Sequence, residues 1–271
     1  MRHTLQARRS LGQNFLRDDN IARKIAAAVA PAPGDLLLEI GPGEGALTRQ
    51  LDGRGARLLL AEIDGRAVPI LRAGFPQAEV LHGDVLDLDL GRLSSERGAP
   101  LRVAGNIPYN ITTPILFHLV EHRKSVTDAT LMMQKEVAAR LAAPPGGKDY
   151  GVLAVLLQMV ADVRVLFDVS RNAFVPRPDV TSSVVRVGFL PALRHAVADE
   201  ALTRAMVRAV FGQRRKTLRN SLRAFLERAG GTMPDTPALA LRPEQLTLRE
   251  FAELSDLLHA GGSTAPAAPD R

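Results

Sequence analysis

The run Leu36-Leu-Leu-Glu-Ile40 is apolar except for Glu39. It feeds without a linker into Gly41-Pro42-Gly43-Glu44-Gly45 and then into a helical pattern starting near Ala46. An unbroken apolar run of that length suits a strand buried on both faces, and a glycine turn between such a strand and a helix is suited to holding a nucleotide. The same grammar recurs downstream. Arg57 to Ala61 ends at Glu62-Ile63-Asp64, Ala78 to Leu81 ends at His82-Gly83-Asp84, and Leu101 to Ala104 runs into Gly105-Asn106. Further strands are predicted at Ala129 to Met133, Val163 to Phe167 and Ser183 to Phe189, making seven. Helical patterns lie between most of them, at Ile21 to Val29, Pro114 to Glu121, Lys135 to Ala142 and Gly151 to Val160. Such alternation predicts an α/β chain with a Rossmann-like, mostly parallel sheet that takes ligands at the carboxyl ends of its strands.

After Leu190-Pro191 the strand signals cease. Helical patterns follow at Asp199 to Phe211, Arg214 to Ala229 and Thr247 to Ala260, the last opening with a Thr247/Glu250 capping box. The expected organisation is a ligand-binding α/β domain over 1–190, with 1–34 as its N-terminal segment, a small all-helical domain over 191–260 and a disordered tail over 261–271. The absence of cysteine excludes a disulfide framework, a thiolate metal site and a cysteine nucleophile. No apolar run approaches a membrane span and no signal-peptide core is present, so a cytoplasmic protein is expected. Net charge is only +6, but it is segregated. Arg204 to Arg228 holds eight Lys/Arg against the single acid Glu227, and residues 1–24 hold six against Asp18 and Asp19. The rest is net acidic, which is the footprint of a polyanionic partner. Were the helical stretches collinear across Gly212, Arg204, Arg208, Arg215, Arg219 and Arg223 would share about a third of the circumference. A bend there would splay them.

The chemistry concentrates in Asn106-Ile107-Pro108-Tyr109. Asn106 supplies an amide oxygen that cannot titrate, Pro108 removes one N–H and holds Ile107 extended, and Tyr109 offers a flat π face beside those acceptors. Acceptors beside a stacking ring suit a planar amine such as an unpaired adenine. Phe174, in the proline-stiffened loop 172–178, reads equally as a core plug or as the second wall of a base pocket. Gly41-x-Gly43-x-x-Ala46 also satisfies a dinucleotide fingerprint, which makes an NAD enzyme the first rival. Against it stand Glu39 just before the glycines and Asp84 at the next strand end, where a second acid can take an adenine amino group. The glycine loop with Glu62, Asp84 and Asn106 at successive strand ends describes an S-adenosylmethionine site. His118-Leu-Val-Glu-His122 matches a zinc-peptidase pattern, but the sequence shows no convincing third ligand, so no metal is expected. A DNA adenine methyltransferase shares the Asn-x-Pro-Tyr logic.

Six stretches together resemble the rRNA adenine dimethyltransferase family of the KsgA type: Leu11-Gly-Gln-Asn-Phe-Leu16, Glu39 to Thr48, Gly105 to Asn110, Gln134 to Val137, Phe174 to Pro178 and Gln213 to Leu222. The resemblance runs almost end to end. It implies a seven-stranded class I methyltransferase sheet and dimethylation of two adjacent adenosines in a hairpin near the 3′ end of small-subunit rRNA, on an immature subunit, by a monomer. Position by position it implies that Asn14 and Leu16 close over the cofactor and that Gly41, with Gly43, approaches its methionine part. Glu62 would bind the ribose, Asp84, with Val85, the adenine, and Asn106 would stand between donor and target amine. The residues themselves, apart from the resemblance, point to Tyr109 as a clamp on the base, with Phe174 opposite if it is a pocket wall and not a core plug, and with Ile107 and Pro108 shaping the turn. Arg8, Arg9, Arg208, Arg214, Arg215, Lys216, Arg219 and Arg223 would meet RNA. Ser10-Leu11 and Ser170-Arg171 depart from the family pattern, on the RNA-facing side. A large-subunit, macrolide-resistance type and a mainly non-catalytic assembly factor are the alternatives.

Overall fold

The computed structural model describes residues 5–266. All seven expected strands form, in one sheet: β2 (Leu36–Ile40), β3 (Arg57–Glu62), β4 (Glu79–His82), β5 (Leu101–Asn106), β6 (Val126–Gln134), β7 (Ala161–Val169) and β9 (Ser182–Phe189). Their spatial order is β4-β3-β2-β5-β6-β9-β7. The pairs β2–β3, β3–β4, β2–β5 and β5–β6 are parallel, and β9 runs antiparallel to β6. From β2 the chain steps outward to β4 and then crosses back to β5. That reversal opens a crevice between the carboxyl ends of β2 and β5, where Ile40 is paired with Gly105. All five residues of β2 are buried, as a central strand covered on both faces requires.

Helix α1 (Asp19–Val29) is capped by Asp18, whose Oδ1 accepts the N–H groups of Asn20 at 2.9 Å and Ile21 at 3.2 Å. Its Ile25, Ala26 and Val29 share one apolar cluster with Leu37, Leu60, Ala104 and Met132 of the sheet. Alternation turns Leu36, Leu38 and Val103 to the opposite face. Helices α2 (Thr48–Leu51), α3 (Val68–Gly74), α4 (Leu90–Arg97) and α5 (Thr112–Glu121) fill the crossovers and α6 (Lys135–Leu141) follows β6. Two short strands, β1 (Phe15–Leu16) and β8 (Phe174–Val175), pair antiparallel with Leu16 opposite Phe174.

The chain divides into two compact units, Met1–Ala138 with Asp162–Phe189, and Ala139–Ala161 with Leu190–Arg271. The expected boundary at 190 is therefore only one of the crossings. Segment 139–161 joins the helical unit because α7 (Val152–Val160) is apolar nearly all round and packs on α8 (Glu200–Gly212) and α10 (Leu248–Ala260). Thr247 and Glu250 form the capping box of α10, each accepting the other's backbone N–H. Helix α9 (Leu218–Ala229) lies against α8 instead of continuing it, so the single arginine stripe does not form. Between them lie the apolar faces of both helices: Leu202, Met206, Leu218, Leu222 and Phe225 are buried. Disorder does not extend through the tail either. Ser263 is buried and donates its hydroxyl to Gly230 O at 2.8 Å, and Thr264 N–H bonds Ala229 O at 3.0 Å. Residues 267–271, the rest of that tail, lie outside the described residues, as do 1–4 of the N-terminal segment.

At the amino end of the sheet, Arg102 of β5 ties three elements together. Its guanidinium reaches Asp35 at 2.6 Å and Asp128 at 3.1 Å, and donates to Val29 O and Ala30 O at the end of α1. Replacing it by Met keeps the aliphatic stem but takes the guanidinium from two helix carbonyls and two partly buried carboxylates, leaving Asp128 only Arg186 at 2.9 Å and Asp35 only the Ala32 N–H at 2.8 Å. Arg102→Met should lower the unfolding free energy by about 3 kcal/mol in a urea titration. A loss below about 0.5 kcal/mol, the range of an ordinary surface substitution, would show that the network carries no stability.

Candidate active site

A cleft opens at the carboxyl ends of β2, β3 and β5. Asn14, Leu16, Gly41, Gly43, Glu62, Asp84, Val85, Asn106, Ile107, Pro108 and Tyr109 all line it. The glycine loop is held by the acid that follows β3. Glu62 accepts Gly43 N–H on one carboxylate oxygen and Asp64 N–H on the other, both at 2.8 Å, and each oxygen keeps a lone pair for a hydroxyl. Gly43 has φ +56°, a backbone conformation that favours glycine, and a Cβ there would press on the Phe15 ring at 3.1 Å. Asp84 turns the chain after β4 by accepting Leu86 N–H at 2.9 Å.

Two buried acids face this cleft from below. Burial pushes the Glu39 carboxyl up to about 8, and the neighbouring Glu62 adds to the rise. Burial raises Glu62 as well, against the pull of its two backbone N–H partners. Hydrogen bonding from Thr48 pulls Glu39 the other way, but Glu39 Oε2 is left without a partner among the described residues. A buried carboxyl with one open oxygen under a glycine loop fits a cationic ligand group.

At the turn after β5, Asn106 Nδ2 donates to Asn14 O at 3.0 Å. A carbonyl can only accept, so this bond decides which way the amide faces. Ile107 is buried and gives its N–H to Met132 O at 3.3 Å. Tyr109 is steadied by a 2.7 Å bond between its hydroxyl and Ser182 Oγ, and burial raises its pKa. Phe174 is not brought to the cleft. It is 2% exposed and packs in the apolar cluster, because register with Leu16 turns its ring into the core while Val175 faces out. The second base wall expected there is a core plug in this structure.

The remaining expected residues lie elsewhere. Arg8 and Arg9 are exposed on the N-terminal turn. In the helical unit Arg208, Arg215, Lys216, Arg219 and Arg223 are exposed, whereas Arg214 is partly spent on Gly147 O at 3.1 Å and Glu244 at 3.8 Å. His118 Nε2 meets Leu88 O and His122 Nδ1 meets His118 O, both at 3.0 Å. No group of three His, Cys, Asp or Glu among the described residues could hold a metal ion. The sequence reading passed over Gln13, Phe15, Arg17 and Arg66, which clasp this cleft: Arg17 bonds Glu44, while Gln13 and Arg66 both bond Asp64. Gln13 and Phe15 sat inside the Leu11 to Leu16 motif, but no local pattern reveals their partners.

The sequence profile for ribosomal RNA adenine dimethylases matches residues 4–254. The chain belongs to that family. It is 47% identical to the ribosomal RNA small subunit methyltransferase A of Aromatoleum aromaticum, over 94% of this chain and 95% of the relative. Among solved structures, the dimethyladenosine transferase of Plasmodium falciparum superposes with a TM-score of 0.74 at 25% identity, covering 92% of this chain and 98% of that one. The 23S rRNA methyltransferase ErmE does so with a TM-score of 0.64 at 30% identity, covering 89% and 100%. Membership implies S-adenosylmethionine as methyl donor, and the site's residues fit it. Its cationic methionine end matches the buried Glu39 carboxyl, and its ribose hydroxyls match Glu62. The dehydrogenase alternative falls with this assignment.

The two raised acids have a consequence for the protein without ligand. A folded-state pKa above the unfolded value means the native state holds the proton longer, so the part of the stability that these acids contribute is intact below about pH 4.5 and is lost as pH rises toward about 8. Glu39→Gln should therefore flatten the decline of the urea midpoint between pH 5 and 9, leaving the smaller slope that Glu62 contributes. An unchanged slope would show that Glu39 ionises freely in the native state.

Proposed function

We propose that this chain transfers two methyl groups from S-adenosylmethionine to the exocyclic amine of each of two adjacent adenosines in a hairpin near the 3′ end of small-subunit rRNA. The substrate is an immature ribosomal subunit, and the enzyme acts as a cytoplasmic monomer. The observation that carries the reading is the Asn106-Ile107-Pro108-Tyr109 turn at the sheet's reversal point with the Asn106 amide oriented by Asn14 O. The small-subunit assignment rests on a relative of that name matched over nearly the whole of both chains. Among the described residues, no helix is long and apolar enough to cross a membrane.

The donor supplies a methyl group already activated on a sulfonium. The adenine amine is a poor nucleophile because its lone pair is delocalised into the ring, so the chain's task is positioning. Asn106 Oδ1 and the carbonyl of Ile107 accept the two N–H groups, which turns the lone pair toward the methyl and stabilises the positive charge that develops. No strong base is needed, since the alkylated amine is acidic and gives its proton to water or to a carbonyl. Tyr109 stacks on the base and Pro108 holds Ile107 extended. Gly41 and Gly43 leave room for the donor, Glu62 takes its ribose, Asp84 and Val85 its adenine, and Asn14 and Leu16 close over it. The exposed cations of the helical unit, together with Arg8 and Arg9, grip phosphates and so set affinity and orientation without reading bases.

Asn106→Ala should lose on the order of a hundredfold in turnover while keeping the donor, measured by methyl incorporation into immature small subunits and by calorimetry. Normal turnover would sink the mechanism. Arg215, Lys216 and Arg219 changed together to Gln should weaken rRNA binding, leave donor affinity intact and flatten the salt dependence by about one unit per lost phosphate contact. If the slope does not change, that face does not meet RNA and the basic N-terminal segment becomes the better candidate.

A further inference from the structure

Asp64 lies just beyond Glu62, outside the cleft lining, and is 1% exposed. It is nonetheless among the most heavily bonded side chains of the sheet unit. Arg66 forks onto it, with Nε at 2.9 Å from Oδ1 and Nη2 at 2.5 Å from Oδ2, and Arg66 N–H adds a third bond at 3.1 Å. Gln13 Nε2 donates to Oδ2 at 2.9 Å. These donors hold the carboxyl well below the usual carboxylate range, the Arg66 fork most of all. A carboxylate so fully engaged stays ionised and rigid, and cannot shuttle protons.

Gln13 carries that anchor to the N-terminal turn. Its Oε1 accepts Arg8 N–H at 2.9 Å, closing the loop 8–13 on itself, while Arg66 Nη1 donates to Gln6 O at 3.2 Å. The other side of the turn is wedged against the chain after β5. Gly12 has φ +61°, and a Cβ there would lie 2.5 Å from Asn110 Oδ1, closer than any side chain tolerates. The turn is thus pinned on one side by Asp64 and on the other by the Asn106–Asn110 segment. The next residue, Asn14, presents its carbonyl to Asn106 Nδ2 at 3.0 Å. An asparagine amide rotated by 180° would offer the target amine a donor where an acceptor is required, and geometry alone barely distinguishes the two orientations. What distinguishes them is the placement of Asn14 O.

We propose that Asp64 is a positioning residue for methyl transfer: through Gln13 it seats the 8–14 turn so that the Asn14 carbonyl holds the Asn106 amide with its oxygen toward the target amine. This rests on the role assigned to Asn106 above. The distance between Asp64 and the reacting atoms makes it silent in any list of cleft residues. Its effect is on turnover, because the acceptor's polarity matters most as charge develops on the amine.

The test is a double-mutant cycle in the full-length protein, measuring turnover on immature small subunits at saturating donor, donor affinity by calorimetry and thermal midpoint. Gln13→Ala, on the half-buried turn, should lower turnover about tenfold or more with less than a threefold change in donor affinity and an unshifted midpoint. Asp64→Asn should lower turnover likewise, with a lower midpoint as well because the Arg66 fork loses its counter-charge, and if that variant does not fold, Gln13→Ala decides alone. In the Asn106→Ala background Gln13→Ala should cost nothing further, because the group it positions is gone. Equal losses in both backgrounds would show that Gln13 acts on folding or RNA docking and would overturn the proposal. Normal turnover of Gln13→Ala beside a slow Asn106→Ala would overturn it too, while leaving the Asn106 assignment standing. A slow Gln13→Ala beside a normal Asn106→Ala would remove both.

Discussion

The structure depends on one topological constraint, the reversal of strand order between β2 and β5. Because β3 and β4 add on one side of β2 and β5 and β6 on the other, the loops after β2 and β5 diverge and cannot cover the crevice between them. Everything with chemical character is drawn to that gap. The glycine loop follows β2, Glu62 ends β3 with Asp64 just beyond it, Asp84 follows β4 and Asn106 ends β5. Parallel pairing brings these ends to one edge of the sheet, and the buried interior of β2 and β3 makes that edge stiff.

Stiffness matters because the chemistry assigned to this site is positional. A neutral amide and a backbone carbonyl offer no proton transfer and no covalent step, so their value lies in being held where charge will develop. The fold supplies that hold in layers. Glu62 fixes the glycine loop through Gly43 N–H, Ser182 fixes Tyr109, Met132 O fixes Ile107 N–H, and Asn14 O fixes the Asn106 amide. The N-terminal segment is consequently a wall of the site: Leu5 N–H and Arg17 both bond Glu44 in the glycine loop, and Phe15 lies against Gly43. The helical unit has a separate core, built around Tyr150, Phe211 and Phe251, whose rings meet edge-on and tilted, with centroids 6.4 and 5.9 Å apart.

Much of this was legible along the chain. Buried parallel strands need continuous apolar runs, so β2, β3 and β5 could be read directly, and residues that must sit at strand ends, such as Glu62, Asp84 and Asn106, follow from knowing where the runs stop. The Thr247/Glu250 pair announced its helix because capping is a contact within four residues. The apolar side of α8 and α9 was likewise visible as a period of 3.6. In each case the interaction that decides the outcome is local, or repeats at a fixed spacing.

What the tertiary structure decided are matters of long-range register and partner choice. Phe174 carries the same residue type whether it plugs a core or walls a pocket, and only its pairing with Leu16 across more than half the chain turns it inward. The arginines of α8 and α9 share a sequence window, but the two helices pack side by side over their buried apolar residues, and this scatters the stripe. Segment 139–161 sits between two strands of the sheet in sequence yet belongs to the helical unit, because α7 has too little polar surface for an exposed crossover. Gln13 and Asp64 are ordinary polar residues until the fold brings them within 2.9 Å. Sequence periodicity specifies which face of an element is apolar, whereas the partner that face meets is set by loop closure over tens of residues, and no spacing rule encodes it.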